Sequence, residues 1–152
     1  MKYLVVPFLL LTACQFHPLY NSSVIQDVCV DPIPEASGYQ LRQALQKHFP
    51  NTSKCQYTLK VSTPHMSMSD QSISNSDFIT MQRVQSSASY KLLDANKKVV
   101  LSNSTSAQGS SAVVTNPYST VVSFENTQNN LIPILAEQIA LHVTAHLDRK
   151  DQ

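Results

Sequence analysis

An α+β fold, with two helices packed on one face of a four-stranded mixed sheet in the order β-α-β-β-β-α, is what this sequence predicts. Three observations carry the prediction. Two stretches repeat apolar residues at helical spacing, Leu41, Ala44, Leu45, His48 and Phe49 in one and Leu131, Ile132, Leu135, Ile139, Val143 and Leu147 in the other. Elsewhere the alternation has period two: Cys55, Tyr57, Leu59 and Val61 are separated by Gln56, Thr58 and Lys60, the mark of a strand buried on one face. The chain also opens strand, helix, strand with short links, the order of a crossover that sets two strands parallel and close. A helical layer over a sheet gives two layers around one core.

Taken in order, Val24 to Val30 is β-branched and compact, and Asp31-Pro32-Ile33-Pro34 ends it because proline cannot continue a ladder. The first helix gathers its stripe from Tyr39, with Ser37 placed to cap its start and Pro50 to stop it. The second strand follows at Cys55 to Val61. Pro64 to Asp77, polar and rich in Ser and Met, reads as a long loop. A third strand runs from about Phe78 to Leu93, with Val84, Ala88, Tyr90 and Leu92 inward and Arg83, Gln85, Ser89 and Lys91 outward. Asp94-Ala95-Asn96 makes a turn, and Lys97 to Ala107 returns as the fourth strand, so that Lys91, Lys97 and Lys98 gather near a hairpin tip. After a second polar loop the last helix covers Thr127 to Leu147. Pro133 lacks an amide hydrogen and clashes with the preceding turn, so the helix either starts near Asn130 or is kinked.

The N-terminus has its own logic. Met1-Lys2 gives a short positive end, Tyr3 to Leu11 is almost wholly apolar, and Leu11-Thr12-Ala13-Cys14 follows at once. The apolar run is about nine residues against about 20 for a bilayer span, so it reads as a signal peptide and not as a membrane helix. A cleavage site ending on cysteine is the bacterial lipobox, in which Cys14 is acylated and becomes the new N-terminus. Several acyl chains anchor stably where one does not. Gln15 follows Cys14 where Asp would signal inner-membrane retention, so the outer membrane is the expected address, with the domain on its periplasmic side. The organisation expected is a leader at 1–13, a lipidated tether at 14–23 carrying Phe16, Pro18 and Tyr20, and a single domain at 24–152. With Cys14 acylated, Cys29 and Cys55 are left as an even pair in an oxidising compartment, either bridged or present as two buried thiols.

Composition excludes several functions. Loss of the leader removes one cation, Lys2, and leaves the mature chain formally neutral, which disfavours a nucleic-acid partner held through its phosphates. Charged residues make up only 14%, and Ser, Thr, Asn and Gln supply most of the remaining polarity, so the surface is neutral and hydrogen-bonding. Two glycines in the chain cannot build a phosphate-cradling loop or a dinucleotide fingerprint. No G-x-S-x-G elbow is present and no catalytic constellation emerges, so no enzyme activity and no cofactor are expected. His142 and His146 stand at i, i+4, the spacing for sharing a metal, but Val143 occupies the place of a zincin glutamate and no third ligand is evident. A structural or surface pair fits them better. His65-Met66-Ser67-Met68 offers soft ligands for Cu(I), yet the same residues fit an ordinary loop.

Two stretches resemble a known family. Cys14-Gln15-Phe16-His17-Pro18-Leu19-Tyr20-Asn21 is similar to the opening C-G-F-x-P-L-Y-G of one branch of the LptE lipoproteins of lipopolysaccharide (LPS) assembly. Ile33-Pro34-Glu35 followed by Gln40-Leu41-Arg42-Gln43-Ala44-Leu45 resembles that branch's I-P-x-R…L-R-x-A-L segment. Tyr57 to Val61, Tyr90 to Asp94, Tyr118 to Thr120 and Leu135 to Ile139 match further landmarks in order. Gln15 and Asn21 stand where the family has Gly, and the family pattern does not require the pair Cys29 and Cys55. The resemblance implies a non-enzymatic subunit that plugs an LptD-type outer-membrane β-barrel, assists its assembly and binds LPS at the last step of export. Lys91, Lys97 and Lys98 with Arg83 are then the candidates for the lipid A phosphates. A lipoprotein adaptor or pilotin of another envelope transporter or secretion pore is the alternative function.

Overall fold

The computed structural model describes residues 27–50, 52, 54–73, 79–113 and 116–150. The expected leader, the expected tether with Cys14 and the beginning of the expected first strand lie outside the described residues. The elements are β1 (Val28–Val30), α1 (Ala36–His48), β2 (Tyr57–Val61), β3 (His65–Ile73), β4 (Ile79–Leu93), β5 (Val99–Ala112) and α2 (Pro117–Asp148). The architecture is the expected α+β arrangement of two helices on a mixed sheet, with a fifth strand added.

β1 and β2 pair in parallel, with Val28 opposite Tyr57 and Val30 opposite Leu59, and α1 makes the crossover between them. A disulfide joins Cys29 to Cys55 across Cα atoms 5.6 Å apart, so the pair is bridged. α1 starts earlier than its stripe suggested, and its cap is not Ser37, which lies inside the first turn. Glu35 holds the N-cap position without a side-chain bond, at φ 68° and ψ 164°. That backbone region is left almost entirely to glycine. A close approach accompanies it: a Cβ on Gly38 would lie 2.6 Å from Ile33 Cγ2, so Ile33 is folded onto the opening turn of the helix.

The stretch expected as a loop, Pro64 to Asp77, holds β3, the largest departure from expectation. β2 and β3 run end to end along the same edge of β4: Val61 is opposite Tyr90 and His65 is opposite Ser87. Between these pairs three residues, Ser62, Thr63 and Pro64, face two, Ala88 and Ser89, which is a bulge in one long interrupted strand. Ser62 donates its amide to the Ser89 carbonyl at 2.8 Å and its Oγ accepts the Ser89 amide at 3.0 Å, so the ladder crosses the irregularity. The sheet therefore has four lanes, β1, β2 with β3, β4 and β5, and the extra strand is the second half of one lane.

β4 and β5 extend the predicted hairpin, pairing from Leu93 and Val99 to Met81 and Ala112. Asp94 organises the turn: its Oδ1 accepts the amides of Asn96 and Lys98, both at 2.9 Å, and Lys97 takes the left-handed conformation at φ 63°. α2 begins ten residues before the expected start, at Pro117, with Asn116 Oδ1 accepting the Tyr118 amide at 3.0 Å. Pro133 neither starts nor ends it but sits inside it. A proline there costs about 3 kcal/mol, and the buried Leu131, Ile132, Leu135 and Ala136 on either side offset that cost.

The core lies between the helices and one face of the sheet. Leu41 and Leu45 of α1, Val28 and Leu59, Val84, Tyr90 and Leu92 of β4, and Leu135, Ile139 and Val143 of α2 are fully buried, and Phe49 closes the end of α1. α2 lies close to the sheet at Gly109, where a Cβ would stand 3.0 Å from Thr127 Cγ2. Thr105 Oγ1 bonds Gln138 Oε1 at 2.6 Å and Ser111 Oγ bonds Ser123 Oγ at 3.1 Å along the same contact.

Candidate functional site

Strand alternation that sends Val84, Ala88, Tyr90 and Leu92 into the core sends their neighbours to the opposite face, which neither helix covers. The register aligns this open face in rows across β3, β4 and β5. They are Ser69, Arg83 and Ser110, then Ser67, Gln85 and Gln108, then His65, Ser87 and Ser106. Ser89 with Ser104 and the trio Lys60, Lys91 and Ser102 complete it. Hydroxyls and amides dominate, and few charges interrupt them. At the bulge between β2 and β3 the face is notched by a concavity of about 350 Å³ lined by Ser62, Thr63, His65, Gln85, Ser87, Ser89, Ser104 and Ser106. Such a surface presents donors and acceptors in a fixed grid. No Phe, Tyr or Trp lines the notch, and beside the His65 imidazole the chemistry available is hydrogen bonding.

The four predicted cationic candidates do not form one cluster. Arg83 is eight residues from Lys91 along β4, about 27 Å at strand rise, so it stands at the far end of the open face. Lys91 lies on that face directly opposite Lys60, which sequence reading passed over, and Lys60 in turn pairs with Asp31 at 3.6 Å. Both partners of that ion pair are well exposed, so it adds little stability. Lys97 occupies the turn. Lys98 leaves the turn toward α2, where it lines a groove of about 530 Å³ with Val99, Val100, His146, Arg149 and Lys150. Nothing in the spacing of residues 98 and 149 along the chain signals that encounter.

The two histidines of the last helix are divided between different partners. His142 Nδ1 bonds the Tyr90 hydroxyl at 2.7 Å, and the two rings stack with centroids 6.3 Å apart. His146, one turn further, faces the groove with Lys98. Burial holds the Tyr90 phenol above its ordinary pKa, and a hydrogen bond from the Asn103 side chain opposes the rise. His65 and Met66 fall on opposite faces of β3, since His65 is opposite Ser87 and Met66 opposite the buried Ser86, so strand geometry separates the soft ligands from the imidazole. Among the described residues no three His, Cys, Asp or Glu side chains come together as metal ligands. Among them too, no helix is long and apolar enough to cross a membrane, which leaves strand-built membrane proteins aside.

No family model and no curated protein matches this sequence. Solved structures do. Rare lipoprotein B from Shewanella oneidensis superposes with a TM-score of 0.68 at 8% identity, over 84% of this chain and 98% of its own. A protein from Caulobacter crescentus CB15 assigned as a lipoprotein gives 0.62 at 20% identity, over 84% and 95%. A minor lipoprotein from Acinetobacter baumannii gives 0.60 at 17% identity, over 80% and 94%. The chain has the fold of these lipoproteins.

Proposed function

We propose that this protein is a lipid-anchored, non-catalytic subunit of the outer-membrane LPS translocon, lodged in an LptD-type β-barrel and in contact with LPS. The observation that carries the reading is the open sheet face, a grid of serines and glutamines left bare by both helices on a fold shared with solved lipoproteins. The lumen of an outer-membrane barrel is polar. A neutral hydroxyl and amide face can lie against such a wall without burying an unpaired charge, whereas a face rich in Lys and Glu would lose the hydration of each group on docking. The lipobox at Cys14 supports anchoring, and an outer-membrane anchor would hold the domain beside the membrane that such a barrel spans. Lys91 and Lys97, with Lys60 beside Lys91, are the residues proposed to meet lipid A phosphates, and the distance to Arg83 removes it from that group.

Photo-crosslinking tests the reading. A crosslinker placed at Ser87 or Ser104 in cells is expected to capture a large β-barrel of the LPS machinery, and depletion of the protein is expected to stop LPS from reaching the cell surface. Capture of a secretin or transporter component instead, with LPS export intact, supports the adaptor or pilotin role and overturns this one.

A further inference from the structure

The groove between the start of β5 and the end of α2 belongs to neither the core nor the open face. Its rim is cationic: Lys98, Arg149 and Lys150 are all exposed, and His146 stands one turn before Lys150. Its floor is apolar, with Val99 47% exposed and Val100 half-buried. The acids nearby are set back. Asp94 is half-buried and spends Oδ1 on the amides of Asn96 and Lys98, and Asp148 is half-buried on α2. Three cations from two segments far apart in sequence thus line the groove, while the half-buried Asp27, Asp94 and Asp148 lie outside its lining.

The place where the chain leaves for Cys14 is contiguous with this groove. The Asp27 carbonyl accepts the Tyr57 amide at 2.9 Å, and Lys150 Nζ lies 5.7 Å above the Tyr57 ring. Twelve residues, 15–26, separate Asp27 from Cys14. Fully extended they reach about 40 Å, and as a random chain roughly 20 Å. A bilayer that holds the acyl chains is therefore within reach of the groove.

We infer that this groove is a second membrane contact, which takes the phosphate headgroups of anionic phospholipids in the leaflet that receives the anchor. Lys98, Arg149 and Lys150 meet the phosphates, and Val99 and Val100 meet the first methylenes beneath them. Cations near an anionic surface add to an acyl anchor in this way, and salt screens their contribution. The inference rests on the lipobox part of the proposed function and not on the barrel partner.

The test is co-sedimentation of the mature chain carrying Cys14→Ser, which removes acylation, with vesicles of phosphatidylcholine alone or mixed with phosphatidylglycerol. Binding is expected only to the mixed vesicles and is expected to fall with added salt. Each cation contributes roughly fivefold, so Lys98→Gln, Arg149→Gln and Lys150→Gln together should lower the partition coefficient roughly 100-fold. Lys47→Gln is the control, because Lys47 lies beside Asn129 and Ile132, fourteen residues and about 21 Å up α2 from His146. Equal binding to pure phosphatidylcholine, or retention by the triple variant with an unchanged melting curve, overturns the inference. So does binding to LPS micelles with none to phosphatidylglycerol vesicles, an outcome that leaves the translocon reading standing.

Discussion

Replacing Cys29 and Cys55 together by alanine should cost about 3.5 kcal/mol of stability. The bridge closes a span of 26 positions, and on the chain-entropy model that loop accounts for a figure of this size through the unfolded state. The native state adds a reason to expect the full amount. Among the described residues β1 has three and pairs with β2 alone, so the bridge reinforces an edge strand held by one ladder and by Val28 and Val30 in the core. For a domain of this size the unfolding entropy is about 0.27 kcal/mol per kelvin, which converts the loss into a fall of about 13 °C in melting temperature. Urea unfolding followed by far-UV circular dichroism, with wild type, reduced wild type and the double variant compared, measures it. Reduced wild type and the double variant should coincide. A loss under about 1 kcal/mol would refute the reasoning, since it would mean that the unfolded chain gains little freedom from the cut.

Three further outcomes follow from particular residues. Glu35→Gly should raise stability by about 1 kcal/mol, because glycine adopts φ 68° without the strain that a side chain incurs; thermal melting checks it, and a loss would show that the Glu35 side chain has a stabilising role of its own. Tyr90→Phe should cost about 1 kcal/mol at neutral pH through the lost bond to His142. The Tyr90 phenol is raised in the fold, so its contribution is complete below the unfolded value near 10 and is lost as pH rises through the folded one; the variant should lack that alkaline limb in a stability titration. Ser104→Glu on the open face should change stability by less than about 0.5 kcal/mol yet reduce recovery of the barrel in a pull-down, since docking would bury an unpaired carboxylate.

The parts of the fold that were legible in the sequence are those where burial writes a periodic pattern. Leu59 and Val61, Tyr90 and Leu92, and the stripe from Leu131 to Leu147 all face the core, and each was readable. β3 was not, because its apolar alternation is confined to Met66 and Met68, Met68 stays 56% exposed, and Ser67, Ser69 and Asp70 are exposed; its pairing with β4 comes largely from backbone bonds that leave little trace in the sequence. The opening turns of α2 were missed for the same reason, as Tyr118 and Val121 stay 75% and 54% exposed and no stripe forms. Of the candidate site, the outward direction of Arg83, Gln85, Ser89 and Lys91 was readable from strand parity. What parity cannot give is which lane lies beside which, and so the rows of the open face and the meeting of Lys98 with Arg149 needed the tertiary structure.

Pro133 withholds the amide that would bond the Asn129 carbonyl, and it does so just where the burial of α2 begins. Upstream of Leu131 no residue of the helix is fully buried; downstream every turn is anchored. α2 should therefore open in two stages, its more lightly held first half before its second. Amide exchange along it should fall into two tiers divided near that proline, and under protease or mechanical load the outer tier should open alone, carrying Tyr118 and Val121 with it, while the inner tier yields only with the whole domain.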